Sequence, residues 1–230
     1  MRARARAGAS AAAAVSLLAL GPTPAAAQTL QERLGHPKDA RVLVIHADDV
    51  GMNHSTNRAT FEALEQGWVT SASILVTCPW FPEVAAFARA HPEIDLGIHL
   101  ALNSEWTTYR WGPVSLRAQV PSLLDADGYL PLLQPAVVER AKLPEVEVEL
   151  RAQVEKARHA GIRISHLDTH MGTLAGSAAL LAAYRKAGAE AGVPVLLTRD
   201  APAPPGAMVP EHEILIDRLL QLTSAPSATG

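Results

Sequence analysis

The stretch VLVIHADDVGMNH, residues 42–54, runs through β-branched and apolar side chains and stops at two adjacent acids, Asp48 and Asp49, just before Gly51. Residues 41–47 (RVLVIHA) read as a strand, and STNRATFEALEQG (55–67) places Ala59, Ala63 and Leu64 at helical spacing ahead of a glycine stop. The order of strand, loop and helix then recurs. VTSASILVTC (69–78) reads as a second strand, FPEVAAFARA (81–90) as a helix and IDLGIHLAL (94–102) as a third strand. Further on come a helix over 143–161, a strand at IRISHLD (162–168), a helix over 177–192 and a fifth strand at VPVLLTR (193–199). Such alternation implies βαβ units and a parallel α/β sheet. A last helix is expected over EHEILIDRLLQL (211–222), and the tail 223–230 (TSAPSATG) is expected to be disordered.

Residues 103–143 break the rhythm with EWTTYRWGP and several prolines and glycines. An insertion this long reads as a functional loop, a lid or a binding loop. Its aromatics Trp106, Tyr109 and Trp111 would suit a sugar face, or would pack the loop onto the body. In the helix over 143–161, Glu147 stands four residues before Arg151, an ordinary solvated pair.

The N-terminus carries a different signal. A basic MRARARAG, an apolar ASAAAAVSLLALG and a small-residue PTPAAA precede Gln28. This is the pattern of a secretory signal peptide over residues 1–27, which places the mature protein in the periplasm or outside the cell. One domain is expected over 28–222. The apolar core is shorter than the roughly 20 residues a spanning helix needs, and no cysteine follows it, so no membrane anchor is expected. Cys78 is the single cysteine, which excludes an internal disulfide and suits a small core residue. A net charge of −3 with no basic run after the signal segment excludes an electrostatic footprint for nucleic acid or an anionic membrane. A small or neutral partner fits better.

In a parallel sheet, residues just past the strand C-termini share one face, where ligands bind. The candidates there are Asp48 and Asp49 from strand 1, His99 from strand 3, Asp168 and His170 from strand 4, and Arg199, a candidate substrate-binding residue, from strand 5. Two histidines and a carboxylate from three strand ends suit a divalent metal with open positions that activates water. Successive side chains of an extended chain leave in opposite directions, so one acid of the pair can bind metal while its neighbour faces the water as general base. Each residue also has a plainer reading. Asp-Asp can cap a helix, His99 between Ile98 and Leu100 can be a core histidine, and Asp168 can orient an imidazole.

At these residues the chain resembles the YdjC/ChbG family of carbohydrate deacetylases. That family's NADDFG, G-[LIM]-H and H-[LI]-D-S-H segments stand here as HADDVG (46–51), GIH (97–99) and HLDTH (166–170), and GWVTSASILV (67–76) resembles its second strand. The likeness runs from about residue 41 to about 200. It implies a (β/α) barrel-like domain, and the five legible strands point to an incomplete barrel or to a chain without its last units, since a full barrel has eight. It also implies Asp48 as catalytic base, a divalent ion (Mg or Zn) held by Asp49, His99 and His170, and removal of acetyl from an N-acetylated sugar. The sequence departs from the family at His46 for Asn, at Val50 for Phe, and at Met171 and Gly172 where further histidines are usual. The group that protonates the leaving amine is therefore unassigned. Two other readings stand beside this one: a metal hydrolase of a phosphoester or cyclic amide, and a degenerate sugar-binding member without catalysis.

Overall fold

Six parallel strands lie side by side in chain order: β1 (His46–Val50), β2 (Ser71–Ile74), β3 (Leu96–Leu100), β4 (Ile164–Thr169), β5 (Val195–Thr198) and β6 (Glu213–Ile216). The computed structural model describes Glu32, residues 35–41 and 43–198, and the backbone of Glu213–Ile216. Residues 1–27, Arg199 and the tail 223–230 therefore lie outside the described residues. The chain divides into two units, Met1–Leu43 and Val44–Gly230. The first contains turns in which Gly35 N donates to Glu32 O and Ala40 N to Pro37 O. The sheet belongs to the second.

Parallel neighbours need a crossover, and from β1 to β5 helices supply it: α1 (His54–Glu65), α2 (Phe81–Ala90), α3 (Gln134–Arg140), α4 (Leu143–His159) and α5 (Ala178–Ala191). Strict chain order has no reversal point, so the sheet is wound in one sense, as in a (β/α) barrel. Among the described strands none pairs β6 back onto β1, and the arrangement is an open, barrel-like α/β sheet. No helix among the described residues is long and apolar enough to cross a membrane.

Several elements differ from expectation, among them β2, which ends at Ile74 where a strand to Cys78 was expected. β1 begins at His46 because pairing with β2 begins there, His46 opposite Ser71, and the preceding Leu43, Val44 and Ile45 stay exposed. Within 211–222, where a helix was expected, Glu213–Ile216 is a strand paired with β5. A short aliphatic run such as Ile214-Leu215-Ile216 fits helix and strand alike, and periodicity alone does not separate them.

The sheet has two unlike faces. Ala72, Ile74, Leu96, Ile98, Leu100 and Leu167 are buried in the core together with Val84, Leu150, Val154, Leu181 and Tyr184 of the helices. The residues between them point the other way and are polar: Ser71, Ser73, His99, His166 and Asp168, with His46 beside them. Period-two alternation thus puts an apolar set under the helices and a polar set on the opposite face. Cys78 is buried as expected, and burial pushes its thiol up to about 12, which makes it inert.

The segment between β3 and β4 is ordered, not a bare loop. It holds one-turn 3₁₀ helices at Arg117–Gln119 and Pro121–Leu123, then α3, and buries Val120, Leu123, Leu130 and Val137. Two side chains of α4 fasten it. The fully buried Glu149 accepts from Val114 N (2.8 Å), Ser115 N (2.9 Å) and Gln153 Nε2 (2.8 Å). Gln153 in turn accepts from Ala101 N (3.0 Å) and donates to Ala101 O (2.7 Å). The expected Glu147–Arg151 pair gives way to pairs with α5, Glu147 with Lys186 and Arg151 with Glu190. A neighbouring helix brings the opposite charges closer than the same helix does.

Glu149→Ala leaves two partly buried backbone N–H groups without an acceptor, and we expect it to lower stability by about 2 to 4 kcal/mol. Urea unfolding monitored by circular dichroism checks this, and an unchanged midpoint would contradict the anchoring role.

Candidate functional site

The two adjacent acids sit in a β-bulge. Ala47 pairs with Ala72 and Val50 with Ile74, so Asp48 and Asp49 together oppose the single Ser73. Simple alternation of the two carboxylates, expected for an extended chain, therefore does not hold. Asp49 adopts φ 59, a left-handed conformation that costs a non-glycine residue about 1 to 2 kcal/mol. Gly51 (φ 101) completes the turn, and its N–H donates to Oδ1 of the buried Asn57 at 2.6 Å. Asn57 Nδ2 donates to Glu83 Oε2 (2.7 Å), which ties the turn to α2.

The bulge carries Asp49 to the histidines at the other strand ends. Its Oδ1 lies 3.4 Å from His99 Nε2 and 3.0 Å from His170 Nδ1. The three ligand atoms all lie within 4.8 Å of one another. Each imidazole has a carboxylate on its far nitrogen: Asp168 Oδ1 on His99 Nδ1 (2.7 Å) and Glu105 Oε2 on His170 Nε2 (2.8 Å). Asp168 is the direct cross-strand partner of His99, and its Oδ2 accepts from Ser73 Oγ at 2.8 Å. The plainer reading of Asp168, as an orienting residue, is the one its contacts match.

Charge follows this geometry. Burial would lower the pKa of His170, but Asp49 and Glu105 outweigh it and push the ring up to about 9. Burial likewise opposes protonation of His99, and Asp168 raises it in net. The carboxylates move the other way. Burial disfavours the charge of Asp168, yet His99 and His46 hold it well below the usual carboxylate range. Asp49 and Glu105 are lowered too, against burial, chiefly by His170.

The segment after β3 builds one wall. Trp111, only 3% exposed, packs edge-on to His170 with ring centroids 5.8 Å apart and donates from Nε1 to Asn103 O (3.0 Å). Tyr109 donates through its hydroxyl to Met52 O, joining this segment to the β1–α1 turn. Those two aromatics pack the segment down. Trp106, 48% exposed, follows Glu105 directly and is free to meet a ligand. Met171, after His170, is exposed and left-handed (φ 51), with Asn103 Nδ2 donating to its sulfur at 3.0 Å.

Of the residues named from sequence, the structure brings Asp49, His99 and His170 together. Asp48 is the exposed residue that precedes Asp49 on the bulge. β5 ends at Thr198 in the described residues, and Arg199 lies beyond them. His46 is engaged with Ser71 Oγ (3.0 Å), Ser73 Oγ (3.1 Å) and Asp168 Oδ2 (3.3 Å). His166 lies over Gly97, where any Cβ would collide with its ring, and its Nδ1 faces Ser165 Oγ (2.8 Å) and Asp95 at the start of β3. It therefore faces the opposite end of the strands from His99. Sequence reasoning missed Glu105, whose only signal was an acid in an aromatic-rich insertion.

The residues fit a divalent ion. With neutral rings Asp49 Oδ1 is buried without a hydrogen-bond donor, and the two ring nitrogens nearest it are those left free by Asp168 and Glu105. Ligand atoms about 2.0 to 2.2 Å from one ion stand roughly 3 to 3.5 Å apart, which matches the contacts of Asp49. Two histidines and one carboxylate leave coordination positions open.

A model of the YdjC-like protein family matches residues 42–224. Similar curated proteins include a carbohydrate deacetylase from Brevibacillus brevis, 36% identical over 128 residues (56% of this chain, 48% of that protein). Another, from Thermus thermophilus, is 37% identical over 145 residues (63% and 49%). The chain thus spans about half the length of the curated relatives it matches. Among solved structures, an Enterococcus faecalis protein provisionally described as cleaving cellobiose-phosphate aligns with a TM-score of 0.61 at 31% identity, over 67% of this chain and 57% of that one.

In the metal-free protein a proton on His170 stands between Asp49 and Glu105. Its folded pKa, about 9, exceeds the ordinary 6.5, so the stabilisation is complete below about pH 6.5 and lost as pH rises through about 9. The urea midpoint of chelator-treated protein should fall across that window. A flat or rising midpoint would contradict the assigned charge.

Proposed function

The chain belongs to the YdjC-like protein family, and we propose that it is a metal-dependent carbohydrate deacetylase, a hydrolase that removes acetyl from an N-acetylated amino sugar or oligosaccharide. The observation that carries this reading is the meeting of Asp49, His99 and His170 around one point, with the exposed Asp48 preceding Asp49 on the same bulge. Relatives named carbohydrate deacetylase supply the substrate class. The basic, apolar and small-residue order of residues 1–27 supports action in the periplasm or outside the cell.

A divalent ion, Mg or Zn, would be held by Asp49, His99 and His170, and when bound it supplies Lewis acidity toward the acetyl carbonyl and the attacking water. Asp168 and Glu105 keep the two rings oriented. Asp48 takes a proton from the water as its oxygen attacks the acetyl carbon. The carbon–nitrogen bond then breaks, and the amine leaves with a proton. His99 and His170 are committed to the ion, His46 is bonded to Ser71 and Ser73, and His166 faces the other end of the strands. The return of that proton is assigned to Asp48, which received it from the water. The exposed Trp106 offers a sugar a flat apolar face.

Acetate release from a panel of N-acetylated oligosaccharides, with a disaccharide phosphate included, tests this reading. We expect Asp48→Asn to bind metal and lose turnover by at least about a hundredfold, and His170→Ala to lose both. Full activity in Asp48→Asn would overturn the base assignment, and phosphate-ester or glycosidic cleavage without acetate release would overturn the substrate class.

A further inference from the structure

A neutral imidazole has one N–H and one lone pair, and whatever accepts the N–H decides which nitrogen is left for a metal. On His99 the acceptor is Asp168 at Nδ1, which leaves Nε2 toward Asp49. On His170 the arrangement is reversed: Glu105 lies 2.8 Å from Nε2, leaving Nδ1 toward Asp49. Neighbouring rings thus present opposite nitrogens to one point, and each choice is enforced by a different carboxylate.

We infer that Glu105 is a positioning residue that fixes His170 with its proton on Nε2 and its lone pair on Nδ1, and so couples tight metal binding to the order of the segment between β3 and β4. This rests on the metal-dependent reading of the site. Asp168 belongs to β4 and is placed by the sheet itself. Glu105 has no such support. Its position depends on Trp111 packed against His170, on Asn103 held by Thr173 Oγ1 (2.6 Å), on Tyr109 bonded to Met52 O, and on the Glu149 and Gln153 anchors of α4. The insertion that interrupts the strand–helix rhythm therefore completes the site, because it carries the acceptor for one ligand's ring proton.

The test is Zn²⁺ affinity by competition with a chromogenic chelator, for the unmodified protein, Glu105→Ala and Glu105→Gln. Glu105→Ala should weaken binding by about 10- to 100-fold. Glu105→Gln should recover most of that loss, since an amide oxygen still accepts the Nε2 proton. Ring-nitrogen NMR of the zinc-loaded unmodified protein should show His170 protonated at Nε2, and this reading stands even if Glu105→Ala does not fold. Unchanged affinity in Glu105→Ala, a Glu105→Gln as weak as the alanine variant, or a proton on Nδ1 would each overturn the assignment. Failure of the unmodified protein to bind Zn²⁺ would overturn the metal reading as well, so the two failures are distinguishable.

Discussion

One extra residue in β1 is the constraint on which the site depends. Because Asp48 and Asp49 share the place opposite Ser73, the chain must bend, and Asp49 must enter a left-handed conformation that few residues tolerate. That strain is held by contacts on both sides, the Gly51 turn bonded to Asn57 and the pairing of Val50 with Ile74. The result is a buried carboxylate oxygen lying between two imidazoles, with the exposed Asp48 preceding it in the chain. Met171, the other left-handed non-glycine residue among those described, directly follows His170. Strain thus gathers at the ligands, where a fixed direction of approach matters more than local comfort.

The polar face of the sheet gives this constraint its chemistry. Burial of Asp168, His99 and His170 would by itself disfavour their charges, and each is offset by an opposite charge on a neighbouring strand or segment. Ser73 and His46 extend the same network, so the acid that orients His99 is itself held in place. His46 is absorbed into this support through Ser71, Ser73 and Asp168.

Much of this was legible in the sequence because periodicity and strand-end position are local properties. HADDVG, GIH and HLDTH each end or carry a strand, and a parallel sheet must bring such ends to one face; α2 likewise begins and ends at the residues its pattern gave. What stayed hidden was non-local. The bulge exists only in the pairing of β1 with β2, and no feature of two adjacent aspartates distinguishes it from regular extension. Glu105 meets His170 across 65 residues, inside a segment whose order comes from Glu149 on a distant helix turn. The strand at Glu213–Ile216 was missed because three aliphatic residues in a row carry no period of their own.

If bulge and strand ends create a single three-ligand centre, X-ray absorption fine structure at the zinc edge, on protein loaded with one equivalent of Zn²⁺, should show it. Stoichiometric binding of one ion is expected, in a shell of oxygen and nitrogen that includes two imidazoles. A shell without imidazole scattering, or no stoichiometric binding, would contradict it.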